Sequence, residues 1–194
     1  MSSLDEVRAE LKKRRAAHST SERLSLSQKA CARALEHWKV MIRPQGDLLV
    51  GYRPHAAWGE LPLDGLLKGR MVAYPRMHGE LMEFAVGLEW SKSEFGFEEP
   101  AASCPALSTA ELGARAYAIL IPGLGFGPSG QRIGMGKGHY DRFLPEFATD
   151  VPRIAITFDN QVLDEFNSEW EKPWDQRVDW VVTESRVLRG QRVS

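Results

Sequence analysis

Short apolar runs separated by amphipathic segments are the feature that most limits how this chain can fold. The strongest run is AYAILIP at residues 116–122, and DLLVGY at 47–52 and RIAITFD at 153–159 have the same character. Runs so short and so continuously apolar are typical of strands buried on both faces of a parallel sheet. The pattern therefore predicts an α/β fold, with an open, mainly parallel sheet flanked by helices in three layers.

The other segments fit the same architecture. Leu4, Val7 and Leu11 recur at helical spacing and predict a first helix over residues 3–17, and the capping-box sequence STSE at 19–22 predicts the start of a second. We expect further short helices at 61–69 and 109–114, strands at 70–75, 80–90 and 178–184, and a loop at 91–105. No stretch rich in proline, glycine and serine divides the chain, so residues 1–194 are expected to form a single domain.

Composition and charge exclude several classes of protein. A formal net charge of -1 lacks the basic excess of proteins that bind nucleic acid by neutralising phosphates. The two cysteines, Cys31 and Cys104, have the spacing of neither a disulfide framework nor a zinc site. The N-terminal segment lacks the apolar core of a signal peptide, and no apolar run is long enough to span a bilayer. We therefore expect a soluble cytoplasmic monomer whose partners are small molecules, with no nucleic acid and no membrane.

The segment RIGMGKGHYDRFL at residues 132–144 carries the densest group of chemically active residues. It contains three alternating glycines, a lysine between the last two and an aspartate three residues later: Gly134, Gly136, Gly138, Lys137 and Asp141. Each glycine loses much conformational entropy on folding, so a tight turn or a ligand that needs bare backbone must compensate. Apolar residues recur at helical spacing from Tyr140 to Phe147, with Pro145 as a break, so the glycines are expected at a helix N-terminus.

A junction of this kind, following a predicted strand, is a candidate phosphate site. Unpaired backbone N–H groups at a helix N-terminus attract anions, and Lys137 and Arg132 would neutralise the phosphate charge. Asp141 would hold Mg²⁺ on the phosphates through a carboxylate oxygen. The alternative is a structural glycine turn in which Asp141 serves as a helix-dipole or capping residue.

A second glycine pattern is rejected as a binding motif. Gly125, Gly127 and Gly130 match G-x-G-x-x-G after a predicted strand, as in dinucleotide-binding folds. However, Pro128 lies inside the match, no amphipathic helix begins at Gly130, and no acidic residue ends a second strand about twenty residues later. The isolated match therefore does not predict a dinucleotide site.

The longer segment IPGLGFGPSGQRIGMGKGHYDRFL resembles the signature of the 5-formyltetrahydrofolate cyclo-ligase family. That signature contains Pro-Gly, Phe-Asp and Gly-x-Arg-Leu-Gly-x-Gly-x-Gly-Tyr-Tyr-Asp. Similar segments lie along most of the chain: VRAELKKRRAAHSTSERLSLSQKA, GRMVAYPRM, FGFEEP, ITFDNQ and WDQRVDWVVTE. The resemblance implies that residues 1–194 form one cyclo-ligase-like domain with a Rossmann-like, three-layer fold.

The resemblance also implies a reaction. It is the ATP- and Mg²⁺-dependent conversion of 5-formyltetrahydrofolate to 5,10-methenyltetrahydrofolate, with release of ADP and phosphate. ATP would be a co-substrate, Mg²⁺ the metal, and a reduced folate the second small-molecule partner. Phosphoryl transfer depends on positioning and charge neutralisation, so the cation-rich glycine segment suits this chemistry.

By matching position, the resemblance assigns roles to individual residues. ATP-binding positions are Arg8, Arg132, Gly134, Met135, Gly136, Lys137, Gly138, His139 and Tyr140. Substrate-binding positions are Glu60, Met135, Lys137, His139 and Tyr140, catalytic positions are Arg132, Lys137 and Tyr140, and metal ligands are Asp141 and Asp175. From the residues alone, alternatives remain: Arg8 as solvated helix surface, Glu60 as a helix cap and Asp175 as a turn residue.

Four positions depart from the family pattern. A lysine normally stands at Leu4, an aspartate at Gly127, a tyrosine at His139 and a histidine at Trp174. The two lost charges, at Leu4 and Gly127, favour an alternative: a divergent, non-catalytic relative that binds a folate or a nucleotide. The retained carboxylates of Asp141 and Asp175 favour the enzyme, because a pure binding protein needs no pair of metal ligands.

Overall fold

An eight-stranded sheet forms the centre of the protein in a computed structural model that describes residues 3–79, 81–93 and 96–192. The strands are β1 (Leu48–Val50), β2 (Val72–His78), β3 (Leu81–Ala85), β4 (Trp90–Lys92), β5 (Glu98–Pro100), β6 (Ala106–Leu107), β7 (Ala116–Leu120), β8 (Gly125–Phe126), β9 (Arg132–Ile133), β10 (Arg153–Ile156), β11 (Trp180–Val182) and β12 (Val187–Arg189). The sheet order is β12-β11-β10-β7-β1-β2-β3-β6, and β4–β5 and β8–β9 form separate hairpins.

The strands at the centre of the sheet are parallel. Neighbours from β11 through β10, β7 and β1 to β2 all pair in parallel. The outer strands β12, β3 and β6 pair antiparallel with their neighbours. The predicted α/β class with an open, mainly parallel sheet is therefore confirmed, and the antiparallel edges are an addition that the sequence did not predict.

Five α-helices accompany the sheet in the described residues. They are α1 (Leu4–Ala16), α2 (Thr20–Met41), α3 (Asp64–Leu67), α4 (Thr109–Arg115) and α5 (His139–Phe143), with short 3-10 helices at Ala56–Trp58, Asp159–Gln161 and Ser168–Trp170. The predicted capping box starts α2, because the Ser19 side chain accepts the Glu22 N–H while the Glu22 side chain accepts the Ser19 N–H. Among the described residues, no helix is long and apolar enough to cross a membrane.

Alternate residues of the central strands supply two buried faces. On one face, Leu49 and Leu120 belong to a cluster with Trp38 of α2. On the other, Leu48 and Ile119 pack in a cluster with residues of α4 and the segment after α5, among them Leu112, Leu144 and Phe147. Burial on both sides explains why these strands are continuously apolar in sequence.

The predicted helix after the glycines is shorter than its apolar spacing indicated. It ends at Phe143 instead of continuing to Phe147. Pro145 is the physical reason, because a proline ring clashes with the preceding turn and lacks the N–H that a helix needs. Phe147 is nevertheless buried in the core, so its position in the apolar pattern reflects packing and not helix continuation.

The segment 91–105, predicted as a loop, contains most of a hairpin. Strand β4 ends at Lys92 and pairs antiparallel with β5. Phe97 precedes β5, and its ring contacts the edge of the Trp58 ring at a centroid distance of 4.6 Å. This tertiary contact supports a hairpin that has little sequence periodicity of its own. The described residues leave out residues 94 and 95 of the predicted loop and residue 80 of the predicted strand 80–90.

The rejected dinucleotide motif also lies in a hairpin. Strands β8 and β9 pair antiparallel, and Gly130 in the turn between them has φ +83°. No helix follows this turn, so it lacks the strand-to-helix geometry that a dinucleotide pyrophosphate requires.

Candidate active site

A cleft of about 1170 Å³ opens where β1 and β7 reach their carboxyl ends. Its walls come from α1, the segments after both strands, β2, the β4–β5 hairpin and the glycine segment. Pockets for one small molecule usually enclose roughly 300–1,000 Å³, so this cleft exceeds the usual size of a site for one ligand. It is lined by all the predicted site residues: Arg8, Glu60, Arg132, Gly134, Met135, Gly136, Lys137, Gly138, His139, Tyr140, Asp141 and Asp175.

Residues 134–138, here called the glycine loop, form one end of the cleft. Gly136 has φ +89° and Gly138 has φ +67°, a region in which side chains other than glycine are strained. The backbone N–H groups of this loop donate to no acceptor in the part of the chain that the structure describes. Because α5 has only five residues, its dipole contributes little, and a candidate anion site here would depend on the loop's own N–H groups and the nearby cations.

Arg8 reaches the glycine loop from α1. Its Nε donates a hydrogen bond to the Gly134 carbonyl oxygen at 3.2 Å, and its Nη1 pairs with Asp5 at 2.8 Å. A Cβ placed on Gly136 would lie 3.7 Å from the Arg8 guanidinium carbon. Arg8 is therefore not a purely solvated helix residue: it positions a cation beside the bare backbone of the loop.

Arg132 and Asp141 form a nearly buried ion pair beside the same loop. Arg132 Nη2 donates to Asp141 Oδ1 at 2.6 Å, and the Gln176 N–H donates to the same oxygen at 3.2 Å. The Arg132 side chain is only 7% exposed, and its Nε has no hydrogen-bond partner among the described residues. The guanidinium also lies 5.7 Å from the Tyr140 ring centroid, and burial raises the pKa of the Tyr140 hydroxyl above its usual range. Asp141 thus pairs across the cleft wall and does not cap α5.

Two carboxylates on this wall have oxygens available for a metal. Asp141 Oδ2 and Asp175 Oδ1 accept no hydrogen bond from described residues, whereas Asp175 Oδ2 accepts the Lys172 N–H at 2.9 Å in a turn. The described residues contain no group of three or more histidine, cysteine, aspartate or glutamate side chains that could hold a metal. Mg²⁺ commonly takes one or two carboxylates and completes its shell with phosphate oxygens and water, so these oxygens are of the kind that a phosphate-bound ion uses.

Glu60 lies in a second, more buried part of the same cleft, here called the Glu60 end. Its Oε2 accepts the His55 N–H at 2.8 Å, and its Oε1 lies 3.5 Å from Arg15 Nη1. Helix α3 begins after Leu63 without any side-chain cap, so Glu60 is not the helix cap that the sequence left open. The side chain is 16% exposed, and burial raises the pKa of the Glu60 carboxyl.

Sequence reasoning missed the residues that surround Glu60. Arg15 is 5% exposed and donates from Nη2 to the Gly123 carbonyl oxygen, and Tyr52, Trp58 and Phe97 also line the cleft. Arg15 lies in the charged run KKRR, which looks like helix surface. Its spacing of four from the buried Leu11 was the available signal, because residues four apart share a helix face.

A family model described as the 5-formyltetrahydrofolate cyclo-ligase family matches residues 1–184. The chain belongs to this family. Membership makes the protein a ligase and favours the enzyme over the non-catalytic alternative.

Cyclo-ligase relatives match over most of the chain. The 5-formyltetrahydrofolate cyclo-ligase of Mycolicibacterium smegmatis is 32% identical over 172 residues, covering 83% of this chain and 86% of the relative. The Mus musculus cyclo-ligase is 28% identical over 149 residues, 71% of each chain. The solved structure of Aquifex aeolicus 5,10-methenyltetrahydrofolate synthetase has the same fold, with a TM-score of 0.76 at 24% identity, covering 98% of this chain and 96% of its own.

The structure shows what surrounds three of the positions at which this cyclo-ligase departs from its family pattern. A Cβ on Gly127 would lie 2.5 Å from Gln131 Oε1 and 2.9 Å from the Phe166 ring, so other side chains occupy the space of the usual aspartate. Leu4 packs against the apolar cluster that contains Leu11. Trp174 is 65% exposed on the cleft wall. Apolar packing thus takes the place of a cation at position 4, whereas Gln131 and Phe166 together fill the space at position 127.

Proposed function

We propose that this cyclo-ligase uses ATP to convert 5-formyltetrahydrofolate to 5,10-methenyltetrahydrofolate, releasing ADP and phosphate. The observation that carries the proposal is that one cleft has two chemically different ends. One end presents unpaired backbone N–H groups among cations, and the other presents a buried carboxylate. A phosphate chain suits the first end, and a ring with N–H donors suits the second.

The glycine loop would bind the triphosphate. Phosphate oxygens can approach the bare backbone at Gly134, Gly136 and Gly138, while Arg8, Arg132 and Lys137 neutralise their charge. Met135 and His139 would line the same stretch. Catalysis of phosphoryl transfer at such a site depends on holding the reacting groups in line and stabilising the charge on the transferred group.

Glu60 would bind the folate ring. The 2-amino-4-oxo ring of a reduced folate presents two adjacent N–H donors, the ring N3–H and the 2-amino group. A carboxylate accepts such a pair in a bidentate, charge-assisted arrangement. Glu60 lines the same cleft as the glycine loop, so the ring would lie between them, with its formyl group toward the phosphates.

The chemistry then needs two bond exchanges. The formyl oxygen attacks the γ-phosphorus of ATP, and the bond from that phosphorus to the ADP oxygen breaks. N10 of the folate next adds to the formyl carbon and loses its proton, and the carbon–oxygen bond breaks to release phosphate. Arg132 and Lys137 would stabilise the charge on the transferred group, and the neutral Tyr140 hydroxyl would remain available as a hydrogen-bond donor.

Mg²⁺ is expected with the nucleotide. Asp141 and Asp175 would hold the ion, which when bound neutralises phosphate charge and orients the leaving group. The Arg132–Asp141 pair would keep one Asp141 oxygen in place and leave the other for the metal.

The direct test mixes purified protein with 5-formyltetrahydrofolate and Mg-ATP and follows the absorbance of the methenyl product. We expect product only when folate, ATP and Mg²⁺ are all present. Equal rates without ATP, or no product from a protein that melts cooperatively, would contradict the proposal.

A further inference from the structure

We infer that Arg15 is a positioning residue for the folate ring: it holds the Glu60 carboxylate in the orientation that accepts the ring's N–H groups. The inference rests on the proposed function, in which Glu60 binds that ring. Arg15 itself makes no assigned contact with substrate, so its effect would pass through Glu60.

Arg15 connects three separate parts of the chain. It extends from α1, donates from Nη2 to the Gly123 carbonyl oxygen in the segment after β7, and places Nη1 3.5 Å from Glu60 Oε1. The His55 N–H holds the second Glu60 oxygen at 2.8 Å. Each carboxylate oxygen therefore has one neighbour from the protein, and this fixes the plane of the carboxylate relative to the cleft.

At 3.5 Å, the Arg15–Glu60 contact is longer than the ion pairs of Arg76, Arg132 and Arg177, which are each 2.6 Å. Arg177 grips both oxygens of Glu171 at 2.6 Å, and Arg76 Nη2 lies 2.6 Å from Glu83 Oε1. Those pairs are saturated and lie outside the cleft. The Arg15–Glu60 pair is longer, lines the cleft, and leaves Arg15 Nε without a partner among the described residues. The single long contact orients Glu60 without the bidentate grip that Arg177 has on Glu171, so the Glu60 oxygens keep lone pairs for a ligand.

The charged and titratable groups that face Glu60 determine its ionisation. Arg15 and His55 favour the charged carboxylate, whereas Tyr52 and Tyr140 are neutral neighbours whose own pKa values are raised by burial. Burial raises the pKa of Glu60, and Arg15 acts in the opposite direction. Removing the Arg15 charge would raise that pKa further, so Glu60 would take up its proton at a higher pH.

The KM for folate should depend on pH through the ionisation of Glu60. Ionised Glu60 accepts the ring N–H groups, so the KM for folate should rise as pH falls through the raised pKa of Glu60. In Arg15→Met the same rise should begin at a higher pH. The KM for ATP, set at the other end of the cleft, should keep its wild-type pH profile.

A double-mutant cycle tests the inference. Arg15→Met, which keeps the length and loses the charge, should raise the KM for 5-formyltetrahydrofolate about tenfold and change the KM for ATP less than about twofold. In the Glu60→Gln background the same substitution should add no further rise, because Arg15 acts through the lost charge. Arg15→Lys should restore part of the folate affinity and the wild-type pH profile, and it replaces Arg15→Met in the cycle if that variant melts without cooperativity.

Three results would overturn the inference while wild-type activity stands: equal rises in both KM values, a folate effect that persists undiminished in Glu60→Gln, or a lower Tm with unchanged kinetics. Failure of the proposed function has a different signature, since wild-type protein would then form no methenyl product.

Discussion

The two ends of the cleft are built in opposite ways. The glycine loop lies within five consecutive residues, and three of them, Met135, Gly136 and Lys137, are exposed. The Glu60 end joins α1, the segment after β1 and the segment after β7, and its Arg15 and Tyr52 side chains are buried. The first exposes bare backbone beside cations, and the second presents one oriented carboxylate.

This difference predicts how the two ends respond to change. An anion held by several N–H groups and cations shares its binding energy among them, so the loss of one side chain should have a moderate effect. A ring held by one buried carboxylate concentrates its recognition there, so the loss of that charge should have a large effect. Each substitution should also affect one ligand only.

The largest effect is expected at the buried end. Glu60→Gln removes the charge from both hydrogen bonds to the folate ring, and we expect the KM for folate to rise about 100-fold with the KM for ATP unchanged. Steady-state kinetics measures both. Glu83→Gln is the matched control, because it weakens the 2.6 Å pair with Arg76 outside the cleft and should lower Tm without changing either KM. A Glu60→Gln enzyme with wild-type folate kinetics would contradict the assignment of the folate ring to the Glu60 end.

A smaller, ligand-specific effect is expected for the backbone of the glycine loop. Gly136→Ala should weaken ATP binding about tenfold by calorimetry, because a Cβ intrudes where phosphate approaches and φ +89° is strained. Strain alone costs about 1 kcal/mol of stability. Gly69→Ala isolates that cost, since Gly69 has φ +76° and open space around its Cβ position. Unchanged ATP affinity in Gly136→Ala would mean that the glycine loop is only a structural turn.

Replacing Arg8 tests how much of the ATP affinity depends on a single cation. Arg8→Ala should raise the KM for ATP about fivefold and leave the KM for folate unchanged, since one charged contact of several is lost. Arg14→Ala removes an arginine from the same helix that pairs with Glu10 and does not line the cleft, so its kinetics should match wild type. A Tm loss in Arg8→Ala without any change in the KM for ATP would make the Gly134 contact purely structural.

The smallest expected change is a gain in affinity for ATP. Leu4 lies one turn before Arg8 on the same face of α1, so Leu4→Lys would add a cation at the phosphate end. We expect the KM for ATP to fall about twofold, the size of an exposed charge interaction. Ala9→Lys adds the same charge to an exposed position of α1 and should change nothing. An equal gain in both variants would mean long-range attraction and not a contact.

The same contrast explains which features the sequence could predict. Central strands such as Ala116–Leu120 are buried on both faces, so their apolar runs predicted them, and the Ser19 capping box is a purely local signal. The edge strands and the β4–β5 hairpin depend on partners distant in sequence, such as Trp58 against Phe97. Local spacing cannot report such contacts.

Within the site, the glycine loop could be predicted because its chemistry lies in one short segment. Arg15 could not, because a buried arginine in a charged helix is recognisable only once Gly123 and Glu60 are known to lie beside it. The resemblance supplied Glu60 and Asp175 by position, and their roles remain predictions that the variants above address.

The central claim is that one cleft holds nucleotide and folate at the same time, each at its own end. Calorimetric titration with a non-hydrolysable Mg-ATP analogue, with and without saturating 5-formyltetrahydrofolate, measures this directly. The account predicts one nucleotide per chain in both titrations, with affinity maintained or increased by the folate. Displacement of the analogue by 5-formyltetrahydrofolate would contradict it.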